Sequence, residues 1–191
     1  VNNSLDASAK VLTSISADSY SYGVAEGQLV AKALNNKGTV AIATGIPAVQ
    51  AAVDRTKGIT DTLSKIPGIK IVATQADNWN PQTMLALTQD WLGQYKDLGA
   101  IVVEGPEGTT AGTWAAAHNR ADLKVIVGDY PKEVEAAIKA GTVYGAVNQD
   151  PVTQAQIAIQ IAKKVIDGKT SGIQPVILSP LPLITSENVS T

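Results

Sequence analysis

Apolar and polar positions alternate along this chain on two periods, and the switches between them mark out its elements. Runs rich in valine, isoleucine and alanine occur at Thr39–Ala43, Ile69–Thr74, Gly99–Val103, Lys124–Val127 and Thr142–Val147, each with the length and composition of a buried strand. Between them lie segments with helical spacing. The first is Tyr20–Leu34, with Val24, Ala25, Leu29, Val30, Ala33 and Leu34 at the apolar positions, and similar patterns cover 47–63, 81–95, 107–119 and 131–141. A longer amphipathic helix is predicted over Pro151–Asp167, closed by Gly168, while Val11–Ala17 reads as a short strand or connector. Asp18 is placed to cap the first helix. Pro81 opens its helix at the position where a missing N–H costs nothing, and Gly141 suits a left-handed C-terminal cap. The segment after Gly168 contains Pro175, Pro180 and Pro182 and is expected to be extended.

Strand alternating with helix at this spacing predicts an α/β fold: a doubly wound, mostly parallel sheet flanked by helices, with right-handed crossovers. The carboxyl ends of parallel strands share one edge, and the loops there leave the crevice in which ligands bind. Polar residues follow each run at that edge: Gly45 and Arg55, then Asp77 and Trp79, then Glu104 and Gly105, then Asp129, then Gln149. Small-molecule binding is therefore the leading expectation.

Composition narrows this further. The 191 residues suggest about one domain, and 45% hydrophobic against 17% charged residues is enough apolar material for a substantial core. Lys+Arg number 15 and Asp+Glu 17, with no basic block, so nucleic-acid binding has little electrostatic support. No apolar stretch reaches the length of about 18 residues that a transmembrane helix needs, and no basic-then-apolar leader opens the chain. Cysteine is absent and His118 is the one histidine, which excludes thiolate metal sites; no calcium-loop ladder of Asp and Asn stands in their place. No metal and no cofactor is expected.

Each candidate residue has a plainer alternative. Arg55, early in its helix, could reach over the strand ends and offer a fork of donors to vicinal hydroxyls or a carboxylate; alternatively it is a surface arginine paired with Asp54 or Asp61. Trp79 could stack on the apolar face of a sugar ring, or fold back as a lid on its own helix. Trp91 and Trp114, among apolar neighbours at helical spacing, read as core or interface residues. Asp129 can accept two hydroxyl hydrogen bonds or cap the next helix. Gln149 can both donate and accept, or be an ordinary turn residue. Catalysis finds little footing. His118 has no Ser or Asp at a suggestive spacing, and neither a dinucleotide fingerprint, a phosphate-cradling loop nor a nucleophile elbow occurs.

The order Asp18 … Gly23, Gly45 … Arg55-x-x-Gly58, Asp77-Asn78-Trp79, Gly128-Asp129, Gly141 and Asn148-Gln149-Asp150-Pro151 resembles the type I periplasmic sugar-binding proteins, of the ribose-binding kind, from about Ser14 to Val189. The family has two similar α/β lobes joined by three crossovers and closes on a sugar between them. The resemblance implies that this chain is the C-terminal part, with residues 1–17 the end of a missing first lobe and the start of the hinge, Val1–Asn3 being the end of that lobe's last strand. Residues 18–149 are then the ligand-binding lobe, 150–170 a helix packing on the missing lobe, and 171–191 a returning strand and tail, with Pro175–Thr185 coming back to this lobe. Carried over by position, Arg55, Asp129 and Gln149 match sugar-hydroxyl ligands, Trp79 an aromatic that packs on the sugar, and Ala17 and Asp18 the hinge. Two departures bear on ligand identity. The family often has Asn where this chain has Gly105, so that contact is lost or passes to Glu104. A residue usual between the Gly and Asp is missing from Gly128-Asp129.

The resemblance implies a sugar or sugar-like solute, an ABC permease as membrane partner, no enzymatic activity, and a periplasmic location, or a lipid-anchored extracellular one in a Gram-positive source. The effector domain of a LacI-like repressor, which shares the fold, is the alternative; an enzyme on a flavodoxin-like sheet rests on fold alone. If Ile157, Ile161 and Val165 face an absent lobe, they leave an apolar stripe that favours self-association through the Pro151–Asp167 helix.

Overall fold

The computed structural model describes residues 10–189; the strand end expected at Val1–Asn3 lies outside them. Five parallel strands form the centre of the molecule: β2 (Gly38–Thr44), β3 (Ile69–Ala76), β4 (Leu98–Val103), β5 (Lys124–Gly128) and β6 (Gly145–Val147). With β8 (Leu183–Thr185) they make one sheet in the order β3-β2-β4-β5-β6-β8, and β8 alone runs antiparallel, against β6. Two short strands, β1 (Ser14–Ser16) and β7 (Val176–Leu178), pair in a separate parallel ribbon.

Alternation along each strand builds a core on both faces. Val40, Ile42, Ala100, Val102, Ile126 and Val147 point to the side covered by α1 (Ser19–Ala33) and α2 (Gln50–Leu63), where they meet Leu29, Val30, Ile59 and Leu63. Ala41, Ala43, Ile101, Val103, Val125 and Val127 point to the other side, covered by α3 (Pro81–Gln94), α4 (Thr109–Ala117) and α5 (Lys132–Lys139), against Met84, Trp91, Ala111 and Ile138. The chain steps outward from β2 to β3 and then back across β2 to β4, so the winding reverses between β2 and β4. That reversal is the switch point at which a crevice opens outside the strand ends.

The predicted punctuation reads out locally. Asp18 caps α1 by accepting the Ser21 N–H at 2.6 Å, and Asn80 caps α3 through Gln82 and Thr83. Gly141 lies at φ +76 after α5, and Gly168 at φ +70 after α6 (Pro151–Ile166). Four boundaries differ from expectation. The second helix starts at Gln50, because residues 46–49 form a turn after the strand. The stretch 107–119 divides into a 3-10 turn at Pro106–Gly108 and α4. The strand expected over Thr142–Val147 narrows to Gly145–Val147. The tail from Pro175 returns in two steps, first to β1 through β7 and only from Leu183 to the large sheet.

Helix α6 stands apart from the large sheet. Gln154 is its one buried residue, and its side chain donates to Ser179 at 3.0 Å beside β7. Ile157 and Ile161 lie on the same stripe as Gln154, at i+3 and i+7, and are half-buried, so they do not belong to the open stripe expected above. The large apolar residues that α6 leaves open are Val152, Ile159 (69% exposed), Val165 and Ile166 (85% exposed). Val176 and Leu178 of β7, together with Val11 and Leu12, are exposed as well.

Candidate ligand-binding site

The site is assembled where α1 and α2 cross above the switch point. A Cβ on Gly23 would lie 2.0 Å from the Arg55 carbonyl oxygen, and one on Gly58 would lie 2.2 Å from the Tyr20 carbonyl oxygen. Only glycine at both positions lets the helix backbones come this close. The approach lays the Arg55 guanidinium over the Tyr22 ring at 3.9 Å, a cation–π contact inside the protein.

Arg55 is buried, with 7% of its surface exposed. One Nη donates to the Glu104 carbonyl at 2.8 Å, where β4 ends, and the other to Gln149 Oε1 at 3.2 Å, beyond β6; its Nε has no partner. The surface alternative fails because the guanidinium is buried, and Asp54 accepts from Gln50 while Asp61 accepts from Lys57 and Tyr20. The guanidinium is thus held rigidly across the strand ends by α2, β4 and the loop after β6.

Asp129 follows β5 in the left-handed region, at φ 61, a conformation that costs a residue with a Cβ about 1–3 kcal/mol. Two bonds hold it there: its N–H donates to the Val147 carbonyl at 2.9 Å and to the Tyr22 hydroxyl at 2.6 Å. The tyrosine's own proton is within reach of the Val147 carbonyl at 3.1 Å and of Asp129 Oδ1 at 3.3 Å. Asp129 makes no capping bond to α5, whose N-cap is Pro131. Burial raises the Asp129 carboxyl above its ordinary value, opposed by the charge of Arg55 and the Tyr22 hydrogen bond.

Trp79 also lies in the left-handed region, at φ 55, next to Asn78 at φ 58. Its N–H donates to Asp77 Oδ1 at 2.8 Å, and its indole lies over Gly45, where a Cβ would come within 2.2 Å of the ring. The ring therefore rests at the end of β2 rather than folding back on its own helix. Gly45 in turn donates its N–H to Glu104 Oε2 at 2.9 Å, and Thr56 donates to Glu104 Oε1 at 2.6 Å. Glu104 is fully buried and each oxygen accepts one bond inside the protein, so its carboxylate ties β2, β4 and α2 together out of reach of a solute. Burial lifts its carboxyl to about 7, against the hydrogen bonds from Thr56 and Gly45. Gly105 is buried and carries no side chain to offer.

Arg55, Glu104, Gly105, Asp129, Gln149 and Trp79 are thus neighbours along one rim. Ala17 and Asp18 lie apart from them, at the start of α1. Tyr22 and the buried acids Glu26, Asp77 and Glu107 belong to the same cluster; of these the sequence points only to Asp77, as a polar residue at a strand end, and gives it no role. Glu26 is raised well above its ordinary value, by burial first. Trp91 is a core residue, its indole N–H donating to Gln75 at 2.7 Å, and Trp114 stacks on His118 at 3.9 Å. Among the described residues no group of three or more His, Cys, Asp or Glu could hold a metal ion, and no helix is long and apolar enough to cross a membrane.

The family model described as periplasmic binding protein domain matches residues 1–170. A D-ribose/D-allose-binding protein of Pseudomonas aeruginosa is 28% identical over 165 residues, covering 84% of this chain and 51% of its own length. A xylitol-binding protein of Mycolicibacterium smegmatis is 24% identical over 174 residues, covering 90% of this chain and 49% of its own. The chain therefore spans about half the length of these curated relatives. Among solved structures, an ABC transporter periplasmic solute binding protein from Actinobacillus succinogenes with bound D-allose superposes with a TM-score of 0.84 at 27% identity, over 92% of this chain and 61% of that one.

Proposed function

We propose, from the premise that the chain belongs to the periplasmic binding protein domain family, that it is the C-terminal part of a two-lobed protein and supplies about half of a cleft for a small sugar or sugar-like solute. The observation that carries this reading is the buried Arg55 fork, fixed by the Glu104 carbonyl, Gln149 and the Tyr22 ring at the switch point of the sheet. A guanidinium already desolvated and oriented loses little freedom when it donates to solute hydroxyls, which is where preorganised sites gain affinity. Arg55 and Gln149 donate to ring hydroxyls, Asp129 accepts from them, and Trp79 packs its ring on the apolar face of the sugar. Glu104 and Gly105 serve as frame, and Ala17 and Asp18 as hinge. A saturated ring rich in hydroxyls suits one fixed fork, one acceptor and one aromatic wall.

The chain binds rather than catalyses. Closure of two lobes about the hinge buries the solute and displaces water, and the closed form delivers it to an ABC permease from the periplasm, or from the outer face of a Gram-positive membrane. The curated relatives quoted above are binding proteins by name, and no observation favours the repressor or enzyme readings. Half a cleft makes half the contacts, so the 191-residue chain alone binds weakly. Calorimetric titration with D-ribose and D-allose tests this. The expected result is dissociation constants on the order of millimolar, equivalent to about 4 kcal/mol, with the heat lost in Arg55→Met. Micromolar affinity would contradict the half-cleft reading, and a millimolar signal unchanged in Arg55→Met would contradict the assignment of Arg55.

A further inference from the structure

Position 105 carries no side chain, and another residue fills its place. Glu107, in the 3-10 turn after β4, folds back so that its two carboxyl oxygens lie 2.4 and 2.8 Å from where a Cβ on Gly105 would sit. Glu107 is buried, with 7% of its surface exposed, and Oε1 has no donor from the rest of the protein. Asp77, where β3 ends, is fully buried; Oδ1 accepts the Trp79 N–H and Oδ2 is without a partner. The two orphaned oxygens belong to side chains placed to share a hydrogen bond, which two carboxyl groups can make only if one of them carries a proton. Two bare carboxylates in that position would repel one another in a dry site, at great cost. The Arg55 guanidinium is directed at the Glu104 carbonyl, Gln149 and the Tyr22 ring and makes no hydrogen bond to either of these carboxyl groups. The other ionisable groups facing the pair are Asp129 from beyond β5, Glu104 from the end of β4 and Glu26 from α1, all acidic.

We propose that Glu107 is a positioning residue that keeps its proton, donating its O–H to Asp77 Oδ2 so that the pair clips the Trp79 loop to the turn after β4. The inference rests on the reading of Trp79 as a wall of the solute cleft. One bond chain runs from Glu107 through Asp77 to the Trp79 N–H, and it holds that residue in its left-handed conformation with the ring over Gly45. Burial, and then the charge of Asp77, lift Glu107 to about 8. Above that value the proton leaves, a second charge appears beside Asp77, and the Trp79 loop loses its clip. Solute binding then weakens, by at most about tenfold per pH unit, the limiting slope for one linked proton.

The side-chain carboxyl carbons and Trp79 ring carbons, followed by 13C NMR between pH 5 and 10, test this without any ligand. The expected result is a Glu107 carboxyl midpoint near pH 8 with the Trp79 ring shifts moving on the same midpoint. In Glu107→Gln, a neutral isostere that keeps the donor, the Trp79 shifts stay at their low-pH values throughout. An ordinary acidic midpoint for Glu107, or a Trp79 transition that persists in Glu107→Gln, overturns the proposal. Titrating D-allose into both proteins at pH 7 and 9 separates the two readings. Binding that weakens at pH 9 only in the unsubstituted chain supports the clip. Binding equally insensitive to pH in both overturns the solute linkage. No binding at either pH refutes the cleft reading, and the carboxyl titration then decides the clip by itself.

Discussion

Gly45→Ala puts a single methyl group where the Trp79 indole now lies. The added Cβ would sit 2.2 Å from Cε2, 2.3 Å from Cζ2 and 2.6 Å from Nε1 of that ring. Carbon atoms in contact stand about 3.5–4.0 Å apart, so the indole has to retreat by roughly 1.5 Å. It cannot do so freely, because the Trp79 N–H is held by Asp77 and the residue is already left-handed. Overpacking of this kind costs about 1–3 kcal/mol. For a chain of this size each kcal/mol lowers the melting temperature by about 2–4 °C, so a fall of roughly 2–12 °C is expected. Trp79→Ala removes the obstacle. In that background Gly45→Ala should be neutral, or stabilising by about 0.4–1 kcal/mol through reduced freedom of the unfolded chain. Urea denaturation of the four proteins of this cycle measures the coupling directly. A Gly45→Ala effect of the same size with and without Trp79 would refute the packing of the indole over Gly45.

Tyr22→Phe removes the hydroxyl that receives the Asp129 N–H, and should cost about 1–3 kcal/mol in urea denaturation, because Asp129 then holds its left-handed conformation on the Val147 carbonyl alone; a loss below about 0.5 kcal/mol would contradict that role. Stability should also depend on pH. Glu107 is raised in the folded chain to about 8 and Glu104 to about 7, so the folded state holds protons the unfolded chain has released. Their contribution is complete below the ordinary glutamate range and is lost as pH rises through about 7–8. Melting temperatures should therefore fall from pH 5 to pH 8, less steeply in Glu107→Gln, and a flat profile would contradict this. The open face of α6 should drive association of copies at high concentration. Ile159→Lys combined with Ile166→Lys should restore a monomer in sedimentation velocity, and a strictly monomeric unsubstituted chain would count against it.

The central sheet is legible because its inner strands β2, β4 and β5 are buried on both faces, and continuous apolar runs such as Ile101–Val103 and Val125–Val127 leave few other solutions. The small ribbon is not. Strands of three residues beside Pro175 and Pro182 carry too short a pattern to show which sheet each joins, or that β8 reverses direction. Arg55, Trp79, Asp129 and Gln149 could be singled out because polar residues at strand ends have few structural duties. Tyr22 was passed over because an aromatic on an amphipathic helix is ordinarily core, and its ring indeed is; only the hydroxyl reaches Asp129, across 107 positions of sequence. Glu104 shows the opposite error. A carboxylate at a strand end looked free to meet a solute, yet the crossing of α2 brings Thr56 to it, and the turn after β2 brings Gly45. Asp77 and Glu107 come together only where the loops after β3 and β4 converge past the end of β2, which lies between those strands, and no local spacing encodes that.

The claim on which the rest depends is that the strand-end rim around Arg55 is the face that meets a sugar. Amide chemical-shift mapping of the 15N-labelled chain, titrated with D-allose into the tens of millimolar, tests it most directly. The account predicts saturable shifts confined to Trp79, Asp129, Gln149, the Gly45 turn and the neighbours of Arg55, absent with Arg55→Met. Shifts centred on another face of the sheet, or none at saturating sugar, would contradict it.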